Sequence, residues 1–152
     1  MLKKYIGCKL IEAEPAYRVN GEILPSIELE TDADAEVVEG YKVVYPDGYV
    51  SFSPKDVFEK AYMQVGDNIS ITEKNVDDFI KDKLVMTIGE KTTIVKVTLV
   101  NGFEMVESSS CVSATNYSQE IGEQICLEKI KDKIWNLLGF LLQTAVGGVK
   151  KE

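Results

Sequence analysis

A few side chains among the 152 residues have types and spacings that point to chemistry, and that chemistry is binding. Phe103 offers a ring on which a planar group can stack. Ser108, Ser109 and Ser110 close a predicted strand with hydroxyls and backbone N–H groups. Asn116 and Tyr117 open a predicted long helix, whose N-terminus favours an anion through its dipole and free N–H groups. Lys129 and Lys133 stand one turn apart farther along that helix, so they reach the same ligand only across a protomer interface. Each residue also has a plainer reading: Phe103 as hairpin core, Asn116 as a helix cap, the serines as a strand end, the lysines as a solvated helix face.

The residues that catalysis needs are scarcer. Histidine is absent, which removes the commonest general base, the Ser–His and Cys–His pairs and the commonest metal ligand. Three cysteines, Cys8, Cys111 and Cys126, are odd in number and lack zinc spacing, so they read as reduced thiols. Asp32, Asp34 and Glu36 alternate like the first ligands of a calcium loop, but the glycine at the sixth position and the bidentate glutamate at the twelfth are missing. A solvated acidic loop over Ile27–Glu39 is the better reading. No catalytic residue, metal site or cofactor is expected, and the chain is read as a non-enzyme.

The elements that position these residues follow from local pattern. Tyr5 to Ile11 reads as a strand. Tyr41–Tyr45 and Tyr49–Phe52 read as a hairpin turned by Pro46-Asp47-Gly48. Ser53 as N-cap, Pro54 at the first helical position and Asp56 at the third predict a helix ending near Gly66 with Val57, Phe58, Ala61 and Tyr62 on its apolar face. A second segment opens with Thr72 as N-cap of a short helix that turns Val76, Phe79 and Ile80 inward. Leu84–Ile88, Thr92–Val100 and Phe103–Glu107 then form a three-stranded antiparallel meander, turned at Gly89-Glu90-Lys91 and at Asn101-Gly102, the latter as a type I′ turn. Asn116 caps the last helix with Gln119 three residues on. That helix is apolar on nearly all sides from Ile134 to Leu142, Trp135 and Phe140 included, which predicts pairing with another copy.

The fold class is thus α+β: a small N-terminal β-hairpin/helix module over residues 1–66, then a meander with a long pairing C-terminal helix over 67–152. Formal net charge is −8 and Arg18 is the only arginine, so duplex nucleic acid is not an expected partner. No apolar run approaches the roughly 20 residues of a membrane span, and the N-terminal residues lack a signal-peptide core; a cytoplasmic location is expected, and no membrane.

The order Val100-Asn101-Gly102-Phe103, Glu107-Ser108-Ser109-Ser110-Cys111-Val112, Asn116-Tyr117, Glu120-Ile121-Gly122, Lys133-Ile134-Trp135 and Leu138-Gly139-Phe140-Leu141-Leu142 resembles a small-protein family of tailed phages and prophages, named after gene products of phages N-four and Sf-six. The likeness runs over roughly residues 72–145. Glu123 stands where the family commonly has a basic residue, and Asn136-Leu137-Leu138-Gly139 replaces its Pro-Leu-Glu-Gly. The N-terminal segment, with Tyr5-Ile6-Gly7, Gly40-Tyr41 and the run from Tyr45 through Lys55, is similar to a module that precedes other small domains in phage proteins.

The resemblance implies a phage or prophage accessory protein in a bacterial host, and such proteins often counter host defence. Its layout is similar to the Thoeris anti-defence sponge proteins, oligomers that bind cyclic ADP-ribose-type signals without cleaving them. By that likeness the expected function is sequestration of a nucleotide-derived immune signal, of cyclic ADP-ribose or cyclic oligonucleotide type, by a homo-oligomer built on the C-terminal helix. The alternative is an acidic inhibitor or adaptor that binds a host protein, which the acidic loop and the net charge fit. A third reading, a carboxylate- and metal-dependent nuclease acting on a signal, has no motif to specify it.

Overall fold

The computed structural model describes residues 1–25 and 32–150 and divides into two compact units, residues 1–64 with 144 onward, and residues 65–143. Its class is α+β with two antiparallel sheets.

The first unit holds β1 (Glu12–Val19), β2 (Glu22–Pro25), β3 (Val37–Val44), β4 (Val50–Pro54) and α1 (Lys55–Ala61), with sheet order β2-β1-β3-β4. The strand expected at Tyr5–Ile11 is not formed; residues 1–11 carry neither helix nor strand, and Tyr5 and Ile6 lie in solvent. The chain enters the sheet at Glu12, where pairing with β3 begins opposite Val44. Asn20 and Gly21 both have positive φ (47° and 88°) between paired Val19 and Glu22, which makes a two-residue type I′ turn. Pro46-Asp47-Gly48 does turn the β3–β4 hairpin: the Gly48 N–H donates to the Tyr45 carbonyl (2.8 Å) and the Asp47 carboxylate accepts the Tyr49 N–H (3.0 Å).

The expected helix is one residue late and one turn short. Ser53 and Pro54 stay in β4, Pro54 is the N-cap, and the helix stops at Ala61 rather than near Gly66. Phe58 stacks between Tyr41 and Tyr62, with centroids at 4.0 and 4.9 Å, and this aromatic run holds α1 on the sheet. Arg18 lies 5.2 Å from the Phe52 ring centroid, so the one guanidinium is engaged within the sheet. Of the acidic stretch, residues 27–31 lie outside the described residues; Asp32, Asp34 and Glu36 are exposed and Val37–Glu39 belong to β3.

The second unit runs α2 (Glu73–Asp78), β5 (Ile80–Ile88), β6 (Thr92–Leu99), β7 (Glu104–Ser110), a 3-10 turn (Ala114–Asn116) and α3 (Gln119–Gly147). Thr72 caps α2 as expected, in a reciprocal capping box with Asn75. The meander is present with order β5-β6-β7. At Asn101-Gly102 the turn is not type I′: only Gly102 has positive φ (87°), and its N–H donates to the Leu99 carbonyl (2.9 Å) in a three-residue loop.

The core of this unit is two facing rows. Thr93, Val95, Val97 and Leu99 are buried on alternate positions of β6. Gly122, Cys126, Ile130, Ile134 and Leu138, each four residues apart, are the buried line of α3. The rows meet at Gly122, where a Cβ would stand 2.1 Å from Thr93 Oγ1, and at Cys126, whose Sγ is 3.8 Å from the Thr93 carbonyl oxygen. Only glycine lets the helix come this close to the central strand. Lys83 with Glu123 and Lys131 with Asp77 (2.7 Å) tie the helix to α2 and β5. The all-round apolar stretch is only half covered within one chain: Ile134 and Leu138 are buried, while Trp135, Leu137, Phe140 and Leu141 are exposed.

Candidate functional site

The residues expected to converge fall at two ends of the second sheet. Tyr117 places its hydroxyl between Thr93 Oγ1 (2.8 Å) and Thr87 Oγ1 (2.7 Å), and the Gln119 amide donates to Thr87 (3.2 Å). Thr93 pairs with Thr87 on one side and Ser109 on the other, so this hydroxyl cluster sits at the β5–β6 turn. Phe103 is in the β6–β7 turn, past the pair Thr98–Glu104. Five strand positions separate Thr93 from Thr98, about 17 Å at 3.4 Å per residue. Phe103 therefore does not join the helix start within one chain.

The other expected residues are engaged locally. Ser108, Ser109 and Ser110 are the last three residues of β7, as expected, and pair with Ile94, Thr93 and Thr92 of β6. The Ser110 and Thr92 hydroxyls are 2.8 Å apart. Asn116 ends the 3-10 turn, its N–H donating to the Ser113 carbonyl (3.1 Å), and the cap of α3 is Ser118, whose hydroxyl accepts the Ile121 N–H (3.3 Å). Lys129 donates to the Ser108 carbonyl (3.0 Å) and Lys133 bonds Glu107, both within one chain. The Lys133 ammonium, by that hydrogen bond, holds the Glu107 carboxyl below its ordinary value against the opposing effect of burial. Glu123, standing where a basic residue was expected, bonds Lys83.

Two other surfaces are assembled. The first is the sheet face opposite the buried row. Register places Leu84, Met86 and Ile88 of β5, Ile94 of β6 and Val106 of β7 on that one face, together with Lys96 and the hydroxyls of Thr92, Thr98, Ser108 and Ser110. Leu84 is 55%, Met86 44%, Ile88 50% and Val106 57% exposed. Lys96 pairs with Glu104 (2.7 Å), and Asp82 shares that end of the face. The second is a hollow of about 550 Å³ in the first unit, walled by Lys9, Leu10, Tyr45, Pro46, Asp47, Tyr49 and, from the last turn of α3, Ala145. Lys9 Nζ lies 5.7 Å from the Tyr45 ring centroid, and the Tyr45 and Tyr49 rings are 5.8 Å apart at 32°. Burial raises the Tyr62 phenol above its ordinary value, and the neighbouring Tyr45 adds to the shift.

Neither surface is singled out by the sequence: Leu84, Met86 and Ile88 share one parity that a helix could cover, and Lys9 lies in a segment without periodicity. Among the described residues no group of three acids or cysteines is placed to hold a metal ion, and no helix is long and apolar enough to cross a membrane.

An antiparallel three-stranded sheet with a long helix on one face and an open, partly apolar opposite face defines the second unit as a small α+β module. The chain belongs to the Phage protein (N4 Gp49/phage Sf6 gene 66) family, whose model matches residues 71–146, half of the chain, from just before α2 almost to the end of α3. No curated protein and no solved structure matches it.

Proposed function

We propose that this phage protein works by binding, without turnover, and that the open face of its β5–β6–β7 sheet docks a host protein in counter-defence. The observation that carries this reading is the exposed apolar set Leu84, Met86, Ile88 and Val106 around Ile94. An antiparallel sheet with one covered face normally turns polar residues outward, and a contiguous exposed apolar patch marks an interaction site. Three strands and four rows of outward side chains span roughly 400 Å². That is about half of the 800 Å² per partner in a standard stable interface, so the face supplies one part of the contact. The partner's chemistry follows from the rim: an apolar surface edged by basic groups, facing Asp82, Glu104 and a chain of net charge −8.

The test is affinity purification from host lysate with the wild-type chain, Met86→Glu, Val106→Glu and the off-face control Glu128→Lys, followed by titration of the purified partner. A host protein that binds wild type and the control at equal affinity, and loses at least tenfold with both face variants, supports the proposal. It fails if no partner depends on the face, or if light scattering gives a dimer that Met86→Glu dissociates, since a second copy then covers it.

Capture of a nucleotide-derived signal, of cyclic ADP-ribose or cyclic oligonucleotide type, is the second reading. What favours it is the tyrosine- and lysine-lined hollow of the first unit, in place of the site expected around Phe103 and Lys133.

A further inference from the structure

We propose that the hollow walled by Lys9, Tyr45, Pro46, Asp47 and Tyr49 is a binding site for a planar aromatic ring bearing an anionic group, the chemistry of a nucleoside monophosphate. It lies in the first unit, outside the stretch matched by the family. Its volume of about 550 Å³ falls within the range of roughly 300–1,000 Å³ that small-molecule sites occupy.

Three features specify the ligand. The first is the stacking surface: Tyr49 lines the hollow and is 65% exposed, so its ring is available to a planar group. The second is rigidity. The Tyr49 N–H is held by Asp47 (3.0 Å) and its carbonyl by the Tyr45 N–H (2.9 Å), so the platform is set before any ligand arrives. The third is charge. Among the described residues no carboxylate pairs with Lys9; its ammonium rests only over the Tyr45 ring, leaving N–H donors for an anion. Asp47 already accepts a backbone N–H, and its second oxygen suits an amino or ring N–H of the base. Pro46 supplies an apolar edge.

This site rests on the same hollow as the signal-capture reading but not on that reading's ligand, and it is independent of the sheet face. Isothermal titration of the full chain with the four common ribonucleoside monophosphates, the four matching nucleosides (adenosine among them) and ribose 5-phosphate tests it, with a cyclic signalling nucleotide in parallel. At least one monophosphate should bind, with its phosphate-free and base-free counterparts at least about tenfold weaker. Tyr49→Ala and Lys9→Ala should each weaken it about tenfold, while Tyr49→Phe retains it. Equal thermal melts of the variants show that the fold is kept. No binding by any monophosphate at millimolar concentration, equal binding of the matching nucleoside, or affinity unchanged in both alanine variants overturns the proposal. If a monophosphate binds and the cyclic nucleotide does not, the hollow stands and the signal-capture reading falls.

Discussion

Gly122→Ala is the sharpest test of how α3 sits on its sheet. A Cβ at this position would lie 2.1 Å from Thr93 Oγ1 and 2.6 Å from Thr93 Cβ, about 1.3 Å inside an ordinary contact of 3.4 Å. Thr93 cannot give way: it is fully buried on the central strand, β-branched, and its hydroxyl is bonded to Tyr117. The helix must lift instead. A radial gap of 0.5–1 Å already forfeits about a quarter to a half of each dispersion contact, and Cys126 and Ile130 are next along the row. Overpacking of this kind costs about 1–3 kcal/mol, and more when backbone must move. Alanine's better helix propensity returns about 1 kcal/mol. The expected net loss is about 2 kcal/mol, or roughly 4–8 °C in Tm for a chain of this size. Gly139→Ala is the control: the same helix and the same chemistry, but nothing lies within 4 Å of the added Cβ, so it should gain up to about 1 kcal/mol. Urea unfolding followed by Trp135 fluorescence reads both. A Gly122→Ala midpoint at or above wild type would falsify the close approach.

Other consequences are checked as directly. Glu107 has its carboxyl lowered by Lys133, so its stabilising share is complete above the ordinary value of 4.5 and is lost as pH falls through the lower folded value; Glu107→Gln should flatten that acid limb in urea midpoints at pH 7, 5 and 3, and an unchanged limb refutes the pairing. Burial raises the Cys126 thiol, so iodoacetamide at pH 8 should spare it in the native chain and label it in urea, read by peptide mass mapping; equal rates in the two states count against its burial. If two copies pair along α3, Trp135→Glu should convert a dimer to a monomer in light scattering, and a wild-type monomer at micromolar concentration ends that idea.

Much of the fold was legible where a local pattern and its tertiary partner agree. The strict alternation of β6 is reproduced residue for residue in its burial, because a helix covers one face only. Thr72 with Asn75 and Pro46-Asp47-Gly48 act through bonds within four residues, so their sequence signals suffice. The failures lie where partners decide. Asn20-Gly21 and Asn101-Gly102 are the same dipeptide, yet the first is a type I′ turn and the second is not. The difference is register: Val19 pairs with Glu22 across two residues, whereas Leu99 bonds Phe103 across three, and the dipeptide permits either. Tyr5–Ile11 has strand-like composition, but a strand is made by its neighbour, and β3 takes Glu12–Val19 instead.

The same distinction governs the site. The sequence shows which side chains can bind an anion or a ring; whether they meet depends on strand register and on which groups satisfy one another first. Tyr117 and Phe103 flank one hairpin strand in sequence order, yet the β6–β7 ladder carries them to opposite ends of the sheet. Lys129 and Lys133 look like free cations until β7 brings the Ser108 carbonyl and Glu107 beneath them, and an ammonium so engaged is a poor anchor for a ligand. Lys9 has the opposite history. It sits in a segment with neither helix nor strand, where periodicity carries no information, and becomes significant only because the Tyr45 ring lies under its ammonium with no carboxylate paired to it among the described residues. The open sheet face was hidden for a related reason. Leu84, Met86 and Ile88 look like core, and at 3.4 Å per residue nothing in the strand itself says which parity the helix will cover. Gly122 decides it: by admitting α3 against Thr93 it assigns Thr87, Val85 and Lys83 to the helix side, and leaves the apolar parity of β5 uncovered by the helix.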